Sequence, residues 1–179
     1  LEFYVTLNIG VCVYPADGKD VAKLFTNAEN TLLNTQYLWK NSCMYYTKEI
    51  SKTVARRLEL KESLFYAIED KELLLHYQPI VDLESGNLTG VEALLRWHHP
   101  KFGILLPEKF IPLAKETGLI VDLSKWVLKQ ACKQARIWHQ AGFKSLSMTI
   151  NISAIEFDQA KLIGHIEGVL TETGMPPEL

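Results

Sequence analysis

The sequence predicts an α/β fold, and three features of the 179-residue chain lead to it. Residues 73–83 and 88–97 are largely apolar runs separated by the turn triplet Ser85-Gly86-Asn87, the pattern of an antiparallel hairpin. After the hairpin the apolar spacing runs helix, strand, helix, the rhythm of an α/β barrel. Ahead of it lies a strand–turn–helix–strand segment too small to bury a core of its own.

Each element has its own signal. Residues 3–13 read as a strand, ended by the turn-prone Pro15-Ala16-Asp17-Gly18. Val21, Leu24, Phe25, Ala28 and Leu32 then recur at helical spacing, and a short aromatic strand covers Cys43 to Thr47. From Ser51 to Asp70 the pattern is helical again, with Val54, Leu58, Phe65 and Ile68 on one side; the charged run Lys52 to Glu62 reads as a solvated face. Beyond the hairpin, Pro107 opens a helix that ends near Thr117. A longer helix from about Leu123 to Ala141 should bury Trp126, Val127, Ala131, Ala135 and Trp138, with Gly142 stopping it. Residues 146–152 form an apolar strand, expected to leave one sheet edge bare, and the last helix covers 158–173.

Composition narrows the function class. Apolar residues make up 47% and charged residues 22%, with a formal net charge of -2, as in an ordinary soluble globular protein. There is no basic footprint for duplex nucleic acid, so an anionic ligand needs a local site. The three cysteines, Cys12, Cys43 and Cys132, are too far apart for a metal knuckle, and their odd number argues against a disulfide framework. They fit a reducing cytosol. No run reaches the roughly 18 apolar residues of a membrane span. The N-terminus lacks signal-peptide layout, so Asn151-Ile152-Ser153 is not read as a glycosylation site.

The candidate chemistry sits in Tyr77-Gln78-Pro79-Ile80-Val81-Asp82-Leu83, in Glu92-Ala93-Leu94-Leu95-Arg96-Trp97-His98-His99-Pro100 and at Asn151. On a strand, Glu92, Leu94 and Arg96 share one face and Leu95 the other. A carboxylate and a guanidinium in apolar surroundings need partners. A metal ion and a phosphate would serve, and so would a plain Glu92–Arg96 pair. Glu92 and Asn151 offer the oxygen ligands that hard cations prefer, near the C-terminal ends of predicted strands. His98 and His99 diverge on an extended strand and read as surface or strand-end residues. Trp97, Trp126 and Trp138 read as packing.

These blocks, with the helix from Trp126 to Phe143 and the run from Met148 to Phe157, resemble the EAL domain of bacterial cyclic di-GMP phosphodiesterases, from about Arg57 to Leu179. The resemblance implies a partial (β/α)8 TIM-like barrel and metal-assisted hydrolysis of cyclic di-GMP to a linear dinucleotide with Mg2+ or Mn2+. It makes Glu92 a metal ligand and the catalytic residue, Asn151 a second metal ligand, Arg96 a phosphate contact and Gln78 a hydrogen-bonding partner of the nucleotide. It leaves room for an EAL homodimer and implies a cytoplasmic domain. Asn8-Ile9-Gly10-Val11 and Tyr14-Pro15-Ala16-Asp17-Gly18 resemble the tail of a GGDEF domain, the diguanylate cyclase fold. That tail departs from its family pattern, with Thr35-Gln36 and Trp39-Lys40 where an alanine–lysine pair and a glycine and arginine are expected. The implied organisation is a degenerate α+β GGDEF remnant over 1–50, a helical linker over 51–58 and the N-terminal portion of an EAL domain over 59–179. Paired aspartates, a lysine and two further glutamates of the family do not map onto the chain. The expectation is a fragment of a longer GGDEF–EAL protein, inactive alone, with a non-catalytic cyclic di-GMP receptor or scaffold as the rival class.

Overall fold

The computed structural model describes residues 3–38, 41–153 and 162–179. The chain divides into two units, Leu1–Glu62 and Ser63–Leu179.

In the first unit, strand β1 (Ile9–Val11) pairs in parallel with β2 (Cys43–Tyr45), and helix α1 (Val21–Leu38) makes the crossover. Both strands are shorter than the sequence predicts. The close approach of β1 to α1 depends on Gly10, where a Cβ would lie 2.5 Å from Ala28 O and 2.6 Å from Leu32 N. The side that α1 buries is largely polar: Asn27, Thr31, Asn34 and Thr35. Most of their polar groups are bonded, although Asn27 Oδ1 has no partner among the described residues. Asn27 Nδ2 donates to Asp17 O, and the Thr31 and Thr35 hydroxyls donate to carbonyls four residues back, all at 2.6–2.7 Å. Val21 and Phe25, of the apolar series, are exposed. Trp39 and Lys40 lie outside the described residues.

Helix α2 (Lys48–Leu64) starts earlier and ends earlier than predicted, and turns follow it to residue 71. Ile50, Val54, Leu60, Leu64 and Ala67 are buried, whereas Leu58 and Phe65 are exposed. The expected apolar side is thus rotated.

The second unit is built on β4 (Leu88–His99), which pairs along nearly its whole length with the antiparallel β3 (Leu73–Val81). The turn between them is held by Asp82, whose carboxylate accepts Ser85 Oγ–H at 2.6 Å and Ser85 N–H at 2.8 Å. These bonds hold the Asp82 carboxyl below the usual carboxylate range. The other side of β4 is shared. Parallel β6 (Ser147–Ile150) takes Gly90 to Ala93, and antiparallel β5 (Gly103–Leu105) takes Trp97 to His99. β5 has no counterpart in the sequence reading; three residues are too few for a periodic signal. Gly90 permits the contact with β6, because a Cβ there would collide with Ser147 Oγ.

Burial alternates strictly along β4: Val91, Ala93, Leu95, Trp97 and His99 are buried, and Glu92, Leu94 and Arg96 half-buried. Helices α3 (Pro107–Thr117) and α4 (Ile120–Gln140) cover the buried face. Phe110 meets Trp97 edge-on at 5.6 Å, and Trp138 meets Tyr77 at 4.8 Å. Burying a ring fully, as Phe110 is, contributes on the order of 1.5–3 kcal/mol. α4 buries Ile120, Leu123, Val127, Ala131, Cys132, Ala135 and His139. Trp126 and Trp138, expected inside, are half-buried. Buried His139 instead ties the helix end to the next strand, its Nε2 lying 2.9 Å from Leu146 O. Gly142 follows the helix with φ 111°.

Helix α5 (Leu162–Thr173) packs on α4, where Cys132, Ala135, Val169 and Met175 form a core with Met148 and Ile150 of β6. Its predicted first turn, residues 158–161, lies outside the described residues. The outer edge of β6 is not wholly bare as expected, since Met148 N–H donates to Leu179 O at 2.8 Å.

Candidate functional site

The half-buried face of β4 carries the candidate chemistry. Pairing places Gln78 of β3 directly opposite Glu92, and Glu92 opposite Thr149 of β6. Directly paired residues share a face, so Gln78, Glu92 and Thr149 form one row across the sheet. Asn151 lies two residues beyond Thr149, just past the end of β6. From there its side chain reaches back, and Nδ2 donates to Glu92 Oε1 at 2.6 Å. Two residues separated by 59 positions in the sequence meet because β4 and β6 are adjacent and parallel.

Glu92 is not at the C-terminal end of its own strand, which continues to His99. It is level with the end of the short β6. Arg96 stands on the same face, about 13 Å further along β4 at ~3.3 Å per residue. No ion pair joins it to Glu92; its Nη1 donates to Leu95 O at 2.8 Å. This falls in the interval Leu94–Arg96, where β4 has neither β6 nor β5 beside it. The guanidinium keeps further donors for another partner.

The electrostatic setting suits a polyanion bound through a cation. A carboxylate oxygen and an amide converge on an open sheet face, with a guanidinium and a second amide on that face. Glu92 and Asn151 together supply two hard oxygen donors, once the Asn151 amide turns its Oδ1 inward. Among the described residues no group of three His, Cys, Asp or Glu could hold a metal ion. Glu92 and Asn151 are two oxygen-bearing side chains, fewer than the six or more ligands a hard cation takes. A cavity of about 310 Å³ between β4, α3 and α4 touches the site only at Asn151 and is otherwise mostly apolar.

His98 is exposed, as a strand-end residue should be, but His99 is not a surface residue. It is buried 5.0 Å from Trp97 and 4.7 Å from Phe102, and its Nδ1 accepts Lys101 N–H at 3.0 Å. β4 runs on to His99, and the two-residue period places it on the buried face with Leu95 and Trp97. Sequence reasoning missed Thr149, whose place in the Glu92 row exists only through register. It also missed Glu72, whose Oε2 accepts Trp97 Nε1–H at 2.8 Å and whose carbonyl accepts His98 N–H at 2.7 Å.

Comparison with known proteins identifies the class: the chain belongs to the EAL-domain family, whose pattern matches residues 61–179. The bifunctional diguanylate cyclase/cyclic di-GMP phosphodiesterase MucR of Pseudomonas aeruginosa is 35% identical over 176 residues, 98% of this chain and 26% of that protein. The signaling protein YkoW of Bacillus subtilis is 38% identical over 174 residues, 97% of this chain and 22% of that protein. The chain thus spans about a quarter of the length of these curated relatives. Among solved structures, the PaMucR phosphodiesterase in complex with c-di-GMP superposes with a TM-score of 0.65 at 42% identity, covering 66% of this chain and 48% of that one. The Xanthomonas citri FimX EAL domain in complex with c-di-GMP gives 0.59 at 28% identity, covering 69% and 47%. Among the described residues no helix is long and apolar enough to cross a membrane.

Proposed function

We propose that the whole protein carrying this chain is a phosphodiesterase that hydrolyses cyclic di-GMP to linear pGpG with Mg2+ or Mn2+. The observation that carries this reading is the meeting of Glu92 and Asn151 on an open sheet face, with Gln78 and Arg96 on the same face. Relatives named cyclic di-GMP phosphodiesterases support it, among them MucR and NbdA.

In this reading Glu92 and Asn151 hold the cation, and Glu92 is the catalytic residue. A bound divalent cation supplies polarisation of a phosphoryl oxygen and a water of lowered pKa. Arg96 pairs its planar fork with a substrate phosphate, and Gln78 hydrogen-bonds the nucleotide. The rest of the coordination shell comes from residues outside those described.

The fold of residues 59–179 is then the N-terminal part of a (β/α)8 barrel. Residues 1–50 are the tail of a degenerate GGDEF domain and 51–58 a helical linker. Alignment with a bifunctional cyclase/phosphodiesterase along 98% of this chain supports that organisation. The domain works in the cytoplasm and has room to pair as an EAL homodimer.

The test is metal-dependent turnover of cyclic di-GMP by the whole protein, read as appearance of pGpG. Tight binding without turnover, under saturating Mg2+ or Mn2+, would replace this reading with a non-catalytic receptor or scaffold.

A further inference from the structure

We propose that Glu72 is a positioning residue for Arg96, holding the outer end of β4 so that the guanidinium faces the ligand. The inference rests on the reading of Arg96 as a phosphate contact. β4 loses its β6 neighbour after Ala93 and gains β5 only at Trp97, so the segment bearing Arg96 has a strand on one side alone. That one side is β3, which pairs Leu74 with Arg96 and Leu73 with Trp97, and the Glu72 carbonyl carries the same ladder on to His98. Glu72, in the turn before β3, grips both residues that follow Arg96. Its Oε2 accepts the Trp97 indole N–H at 2.8 Å, and its main-chain carbonyl accepts His98 N–H at 2.7 Å.

The Trp97 ring is fully buried, edge-on to His99 and Phe110. Successive side chains on a strand point to opposite faces, so a fixed Trp97 fixes the direction of Arg96. Without the carboxylate, the indole N–H would be left unpaired in a buried site. The ring would shift to find a partner, and Arg96 with it.

A double-mutant cycle on the whole protein tests this, with cyclic di-GMP affinity measured by calorimetry and folding by thermal melting. Glu72→Ala should weaken binding about five- to tenfold when Arg96 is present and less than about twofold in an Arg96→Ala background. Glu72→Gln, which keeps an acceptor for the indole, should bind within about twofold of the parent. Trp97→Phe leaves a smaller ring with no N–H for Glu72 to hold, so in that background Glu72→Ala should change binding less than about twofold; a loss as large as in the parent would overturn the inference. Equal losses with and without Arg96 would make Glu72 merely structural and overturn the inference. Normal binding by Glu72→Ala while Arg96→Ala binds weakly would overturn it alone. Normal binding by Arg96→Ala would overturn the reading of Arg96 itself, and the inference with it.

Discussion

At the scale of single residues, Glu92 and Arg96 carry the sharpest expectations. Glu92→Gln keeps the shape and a hydrogen-bond acceptor for Asn151 but removes the charge a divalent cation needs. It should abolish cyclic di-GMP hydrolysis by the whole protein with little change in melting temperature; unchanged turnover would remove Glu92 from the metal site. Arg96→Ala should cost about 1.5–3 kcal/mol of cyclic di-GMP affinity, the usual scale for a hydrogen bond to a charged group. Among the described residues its side chain donates to Leu95 O alone, so the domain should still fold. Equal titration curves for variant and parent would make Arg96 structural. The face shared by Glu92, Leu94 and Arg96 was legible from the alternation of the sequence, because a strand has a period of two. The burial of His99 follows the same period, but only once the strand runs two residues past Trp97, where the sequence reading ends it.

At the scale of elements, the contact that matters is β4 against β6. Gly90 sits opposite Ser147, whose hydroxyl donates to Thr89 O at 3.1 Å. Gly90→Ala would drive a methyl into that hydroxyl, and such overpacking typically costs about 1–3 kcal/mol. We expect a lowered melting temperature together with weakened metal dependence, since the same contact brings Asn151 to Glu92. Adding Ser147→Ala removes the obstructing oxygen and should restore much of the stability. If the double variant melts no higher than Gly90→Ala alone, the close approach is not what Gly90 provides. The helices over 107–117 and 120–140 were readable from Pro107, Gly142 and the apolar spacing. β5 and the polar buried side of α1 were not. Three residues carry no period, and Thr31 and Thr35 are buried only because their hydroxyls bond back to their own helix.

At the scale of the whole molecule, the described residues supply two candidate metal ligands and leave large apolar side chains uncovered. In the first unit Phe3, Tyr4 and Val5 are 82%, 93% and 83% exposed. Adjacent exposed apolar residues in this number favour association. The 179-residue chain expressed alone should therefore self-associate and fail to hydrolyse cyclic di-GMP. Light scattering coupled to gel filtration, with a turnover assay on each fraction, checks both. A monomeric, cooperatively melting and active preparation would sink this expectation.

What the sequence determined by itself is the order of elements, their approximate bounds, the face of β4 that carries the polar residues and the family. These depend on spacing, turn chemistry and contiguous motifs, all local properties of the chain. What only the tertiary structure decided is which residues meet. Asn151 reaches Glu92, Gln78 and Thr149 flank it, and Glu72 grips Trp97, because β3, β5 and β6 all choose β4 as their partner. Strand choice and register arise from long-range pairing, where a shift of one residue would turn Glu92 to the helix-covered face. No local pattern in the chain records that choice.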